Sequence, residues 1–295
     1  MSKVFDQAVC VQQWDYSETS QTCLLFTLEH GLVRALAKGS RRAGAPYSGG
    51  LEGLTAGVAG LILKPTTELA LLTEWDLREP MGHLRRDLSA HRAGVYVADV
   101  ARGMTLDHDP HAGMFAAVLR ALRDLASPGA AESALGIFQA RALWSAGLAP
   151  DLERTAGSGA QLPSRGVLLY HPDLGGVIGG ERPEAHRGQG WPVRAQTVAL
   201  AAGLLRRAAQ EARAGPPGAS AAPIAQVRSA LGDRHDQRTW ARAARLLAAV
   251  IRHVIGRELV TLGLVFPDLV AAGGTRTAPP TGPGRQGPGT GQRRR

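Results

Sequence analysis

TCLLFTLEHGLVRALAKGSRR, Thr22 to Arg42, is the stretch on which the fold turns. Two runs of strand-favouring residues, TCLLFTLE and LVRALAK, flank a break at Glu29, His30 and Gly31. The glycine stands where a tight hairpin needs a positive φ. Working outward, VFDQAVCVQQW, VAGLILK and ELALLTEW are further short runs of the same kind, set apart by turn residues. About five strands in some eighty residues, with no competing helical period, predict a small OB-type β-barrel over residues 1–80.

The same region, Gly31 to Gly50, carries Arg34, Lys38, Arg41 and Arg42 with no acid between Glu29 and Glu52. On a barrel, such cations track phosphates while aromatic rings stack on bases. Tyr47 is the only aromatic within this basic stretch and is the expected stacking ring, with Trp14 a weaker candidate that fits the core equally well. Glycines at 39, 44, 49 and 50 let the loop backbone approach a strand closely. The plainer reading of the same cations is a solvated loop that keeps an edge strand from pairing with another chain.

The whole chain bounds these readings. Its 295 residues, 44% of them hydrophobic, suffice for one large core or two ordinary ones. The longest apolar runs, such as LLAAVI at Leu246 to Ile251, are far shorter than a membrane span, and Met1 to Trp14 has no signal-peptide pattern, which predicts a cytoplasmic protein. Cys10 and Cys23 read as small buried hydrophobes. The net charge of +9 invites a polyanionic partner, but its distribution matters more. Residues 272–295 hold Arg276, Arg285, Arg293, Arg294 and Arg295 without an acid and are rich in Gly, Pro and Thr, the composition of a disordered basic tail. Residues 2–80 hold seven cations against nine acids, so the barrel's cations count only because they are concentrated.

Beyond Pro80 the period becomes helical, so the fold class is α+β, with a mostly helical domain over residues 81–271. Leu84 to Met104 reads as one helix; Asp109 and Pro110 read as cap and first turn of the next, MFAAVLRALRDLA. ESALGIFQARALWSAG follows and stops at Gly147. Residues 151–193 are rich in Gly, Pro and Arg and are expected to form an irregular insertion. Helices resume at Arg194 to Ala214, break at GPPGASAAP, and end with one near Arg238 to Leu259. At 100° per residue, Trp240, Leu247, Ile251 and Val254 share one side of this last helix, and Arg238, Arg242, Arg245 and Arg252 form a stripe about 21 Å long on the other. With no nearby acid on that face in sequence, the stripe is expected to meet a phosphate or an acidic peptide; a solvated helix face is the even alternative.

With these residues in view, the chain resembles the RecO family of bacterial DNA repair proteins. YSETSQTCLLFTLEHGLVRALAKGSRR is similar to the family's segment that runs through a hairpin into A-K-G-x-R-R, here Ala37, Lys38, Gly39, Ser40, Arg41 and Arg42. Tyr96 in RAGVYVADV, the helix at Pro110 to Leu125, FQARALWSAGLAPDL at Phe138 to Leu152, and Gly175 and Gly176 match later elements in order, up to about Leu262. The resemblance implies a non-enzymatic recombination mediator. Such a protein binds single- and double-stranded DNA, anneals complementary strands and, with RecR, helps load RecA on DNA coated by single-strand-binding protein. The helical domain would receive the acidic C-terminal tail of single-strand-binding protein, in a cytoplasmic, nucleoid-associated setting. The sequence departs from many members in one respect: where they carry four zinc-binding cysteines, it has none after Cys23, so no metal and no cofactor are expected. His108, His111, Asp107 and Asp109 read as a helix start, and His171 and His186 lie in the insertion.

Phosphate-binding G-x-x-x-x-G-K-[ST], G-x-S-x-G and H-E-x-x-H patterns are absent, which argues against an enzyme. The alternative kept alongside is an OB-fold RNA-binding or protein-interaction module with no role in recombination; nothing in it would call for the helical half to follow RecO order.

Overall fold

The computed structural model describes residues 3–48, 51–63, 69–178, 190–215, 221–231 and 235–271. The first half of the architecture is a ring of strands: β1 (Lys3–Asp15), β2 (Gln21–Thr27), β3 (Gly31–Ala37), a two-residue β4 (Tyr47–Ser48), β5 (Thr55–Ile62) and β6 (Leu69–Glu79). Their order β3-β2-β1-β5-β6, with a further parallel pairing of β3 to β6, joins both edges of the sheet in the OB arrangement. β1 makes this possible. It pairs with β5 from Lys3 to Cys10 and with β2 from Ala8 to Asp15, and a bulge between Cys10 and Gln12 bends it where the two ladders overlap.

Alternation sorts the side chains. Ala8, Cys10, Cys23, Leu25, Val33, Ala35, Leu61, Leu72 and Trp75 fill the interior. Val9, Leu24, Phe26 and Leu32 face outward yet are also buried, because the helices pack on that face, Phe26 against Phe115 with ring centres 6.0 Å apart. At the β2–β3 hairpin, Gly31 has φ +65° and buried Asp6 accepts the Glu29 N–H at 2.9 Å. A Cβ on Gly31 would collide with the backbone of Asp109. Leu32 bridges to Asp107 and accepts the His108 N–H at 3.0 Å, so residues 107–109 dock on the start of β3.

The second half comprises α1 (His83–Arg86), α2 (Leu88–Met104), α3 (Ala112–Asp124), α4 (Ala131–Ser145), α5 (Ala195–Ala214), α6 (Ile224–Leu231), α7 (Gln237–Ile255), α8 (Leu262–Val265) and α9 (Pro267–Ala271). α4 is the hub. From Ser133 to Leu143 it is buried on all sides, packed by α3, α5 and α7. Its polar side chains are therefore partnered: Gln139 meets the Tyr96 hydroxyl at 3.0 Å, and Arg141 donates to Glu211 at 2.9 and 3.2 Å and to the Ala222 carbonyl at 2.7 Å. Asp87 caps α2 by accepting from Ser89 and Ala90. The cap of α3 differs from expectation: His111 Nδ1 accepts the Met114 N–H at 3.3 Å, while Asp109 and Pro110 belong to the connection docked on the barrel.

The insertion is more regular than its composition suggests. β7 (Asp151–Thr155), β8 (Val167–His171), β9 (Gly176–Ile178) and β10 (Trp191–Arg194) form a sheet in the order β10-β8-β9-β7. Leu152, Leu168, Tyr170 and Val177 join the helical core, and Tyr170 packs against Trp191 with ring centres 5.1 Å apart. These strands are too short for a two-residue period to show through Gly and Pro. Among the described residues no three His, Cys, Asp or Glu side chains stand together as metal ligands, and no helix is long and apolar enough to cross a membrane. His186 and the basic tail of residues 272–295 lie outside the described residues.

Candidate nucleic-acid interface

Arg34 and Lys38 follow from the pleat. On β3, Val33, Ala35 and Ala37 point into the barrel, which leaves Arg34, Leu36 and Lys38 for the outer side, where Arg34 and Lys38 are exposed. The chain after Lys38 is held by its own bonds and by the β1–β2 loop. Gly39 has φ +67° and donates to Ser20 Oγ at 3.0 Å, Ser40 Oγ donates to Gln21 at 3.0 Å, the Arg41 N–H donates to the Thr19 carbonyl at 3.1 Å, and the Arg42 N–H returns to Gly39 at 3.0 Å. Two loops thus form one surface with Lys38, Arg41 and Arg42 exposed on it.

The four cations are not equivalent. Arg41 pairs with Asp15, and Arg34 Nε lies 3.7 Å from Asp107 Oδ2, although no acid is near either in its own segment. Lys38 and Arg42 have no ion-pair partner among the described residues. The two pairs are roughly half exposed, where such contacts contribute about 0–1 kcal/mol, so a phosphate can replace either carboxylate at small cost. Arg102, at the end of α2, adds a cation beside the same face, donating to Gln12 at 2.9 Å. The sequence reading passed over it because its proximity depends on α2 packing against β1.

Tyr47 requires a correction. It is 7% exposed, packed in the barrel interior, with its hydroxyl donating to the Leu72 carbonyl at 2.8 Å, so its ring has no open face for a base. Burial also pushes the Tyr47 hydroxyl's pKa upward. The chain enters β4 here and turns this side chain inward, which composition alone does not reveal. Trp14, read as equally suited to the core, stands 42% exposed, and Tyr16, overlooked in the sequence, 64%. Gly49 and Gly50 lie outside the described residues. Cys10 and Cys23 are buried free thiols; burial pushes Cys23 up to about 12 and Cys10 well upward too.

The arginine stripe on α7 divides in the same way. Trp240, Leu247 and Ile251 are buried as expected, while Val254 lies past the packed part of the helix and is partly exposed. Arg238 and Arg242 are exposed. Arg245 pairs with Asp268 on α9, and Arg252 donates to the Leu269 carbonyl at 2.5 Å, so an acid does reach this face, from a segment that folds back over it. Beside Arg242 and Arg245 lies a groove of about 520 Å³ with an apolar floor that includes Leu88, Ala93, Leu135, Leu264 and Phe266, and with Arg92 on its rim. Leu88 and Leu264 are exposed there.

An OB-type barrel joined to an α4-centred helical bundle, with a cationic strand and loop on the barrel, is the class this architecture defines. Residues 1–81 match the family model described as Recombination protein O N terminal, and residues 85–222 match Recombination protein O C terminal. The chain is 31% identical over 247 residues to the DNA repair protein RecO of Anaeromyxobacter sp. (strain Fw109-5), covering 83% of this chain and 88% of that one. It is 29% identical to RecO of Anaeromyxobacter dehalogenans (strain 2CP-C) and of Myxococcus xanthus (strain DK1622), over 88% of this chain and 94% and 95% of theirs. The chain belongs to the RecO family of DNA repair proteins.

Proposed function

We propose that the protein is a recombination mediator that binds single- and double-stranded DNA through Lys38, Arg42, Arg41 and Arg34, anneals complementary strands, and works with RecR to load RecA on DNA coated by single-strand-binding protein. The observation that carries the DNA-binding reading is the shared exposed surface of the two loops. It holds Lys38 and Arg42, which have no ion-pair partner among the described residues, and Arg41, whose partner is solvent-exposed and exchangeable; Arg34, with a similarly exposed partner, stands on the adjoining strand β3. Cations placed between two polyanions lower their mutual repulsion and release counterions, which is what annealing needs; no covalent step is involved.

The groove beside α7 is the proposed seat of the acidic C-terminal tail of single-strand-binding protein. Its apolar floor suits a tail's hydrophobic end, and Arg92, Arg242 and Arg245 supply the positive border, with exposed Arg238 one turn before Arg242 on α7. Asp268 holds Arg245 in the free protein, so an incoming carboxylate exchanges with it. Arg252, already bonded to the Leu269 carbonyl, anchors the fold-back and takes no part in tail binding.

The test is annealing of DNA coated by the cognate single-strand-binding protein, with the intact chain and with Lys38, Arg41 and Arg42 all changed to Ala. Loss of annealing with an unchanged melting profile is expected; full annealing by the variant overturns the reading. For the groove, Arg242→Glu with Arg245→Glu should abolish binding of the tail peptide, and unchanged peptide affinity refutes that assignment.

A further inference from the structure

We infer that Trp14 and Tyr16 form a base-stacking platform that lets the barrel distinguish unpaired from paired DNA. The inference rests on the DNA-binding reading above and assigns it a selectivity element. An exposed ring alone needs no explanation. What singles out these two is where the sheet register places them. Trp14 pairs with Thr22, and Thr22 with Leu36, so these three share one row of the outer barrel face. The next row, Gln12–Leu24–Arg34, is covered by the helices at Leu24 and ends in exposed Arg34. The Trp14 row is thus the first that the helical half leaves open, one step from a phosphate-binding cation.

Tyr16 follows Trp14 by two residues, about 7 Å further along the chain and one past the end of β1, where its N–H donates to the Ser20 carbonyl at 3.0 Å and prolongs the β1–β2 pairing by one row. It opens the β1–β2 loop, whose Thr19 and Ser20 hold the backbone of Arg41 and Gly39. Among the described residues neither ring packs on another ring or under a cation. Rings and cations therefore lie on one continuous strip. A single strand can lay its phosphates on Lys38 and Arg42 while its bases cover the rings, whereas the bases of a duplex are already stacked on each other. The cations serve both forms of DNA and the rings only one.

The experiment titrates the full chain with a fluorescent oligo(dT) and with a duplex of equal length, for wild type, Trp14→Ala/Tyr16→Ala, Trp14→Phe/Tyr16→Phe and Lys38→Ala/Arg42→Ala. The double Ala variant should lose roughly fivefold or more of its single-strand affinity, with duplex affinity and the salt dependence of single-strand binding unchanged. The double Phe variant should keep its affinity. Because Phe preserves ring bulk and hence the fold, it also carries a second readout: oligo(dT) should quench tryptophan emission in wild type, and Trp14→Phe should remove that quenching. An equal loss on both DNAs, no loss on either, or quenching that persists in Trp14→Phe overturns the platform. If Lys38→Ala/Arg42→Ala leaves both affinities intact, the phosphate reading fails instead, and the ratio of single-strand to duplex affinity in the ring variants still judges the platform.

Discussion

Removing Lys38 and Arg42, the two cations with no ion-pair partner among the described residues, separates them from the two that already hold an acid. Each phosphate neutralised on a single strand contributes about −0.7 to the slope of log affinity against log salt. With Arg34, Lys38, Arg41 and Arg42 all engaged, the slope is about −2.8, and between 50 and 200 mM salt the wild type should lose roughly 50-fold in affinity. Lys38→Ala/Arg42→Ala removes two full contacts, so its slope should fall to about −1.4 and its loss over the same range to roughly sevenfold. Arg34→Ala/Arg41→Ala should change the slope by less, because Asp107 and Asp15 partly neutralise those guanidiniums before DNA arrives. Conversely, Asp15→Asn/Asp107→Asn frees both arginines and should tighten binding at low salt. The assay is fluorescence anisotropy of a labelled oligo(dT) at four or more salt concentrations. A slope that stays near the wild-type value in Lys38→Ala/Arg42→Ala, or a larger effect from the paired arginines than from the unpaired cations, refutes the argument.

Tyr47→Phe should lower stability by about 0.5–1.5 kcal/mol in urea melts by removing the hydrogen bond to the Leu72 carbonyl, and should leave DNA affinity unchanged; an undiminished midpoint contradicts that buried hydrogen bond. Gly31→Ala should cost about 1–2 kcal/mol from its left-handed backbone alone, and more from the Asp109 backbone that a Cβ would meet; wild-type stability in this variant contradicts the docking of residues 107–109. The Arg123 side chain, through its hydrogen bonds, holds Glu79 below its ordinary value of 4.5, against the opposing effect of partial burial. A carboxylate lowered in the folded state stabilises above its unfolded pKa and loses that contribution as pH falls through the folded value. The stability gap between wild type and Arg123→Ala should therefore be present at pH 7, a few tenths of a kcal/mol for so exposed a pair, and should close as pH drops below 4.5; a gap that widens in acid contradicts the pairing.

The sequence by itself determined whatever depends on neighbours along the chain. The five main strands, the hairpin at Gly31, the stop of α4 at Gly147, and the exposure of Arg34, Lys38, Arg238 and Arg242 follow from periods of two and 3.6 and from glycine's access to positive φ, whereas α7, expected to run to about Leu259, stops at Ile255, where Gly256 takes φ +67°. The RecO resemblance was readable for the same reason, since its hairpin and A-K-G-x-R-R segment are contiguous. Tertiary structure alone decided which cations are paired, because Asp15, Asp107 and Asp268 approach Arg41, Arg34 and Arg245 only after the barrel, the docked connection and the C-terminal fold-back are in place. It also turned Tyr47 inward, left Trp14 and Tyr16 in the open, and gathered the short strands of the insertion into a sheet. Charge pairing and burial depend on distance in space, and a chain that brings residues 34 and 107 within 4 Å leaves no periodic trace of that meeting in the order of its residues.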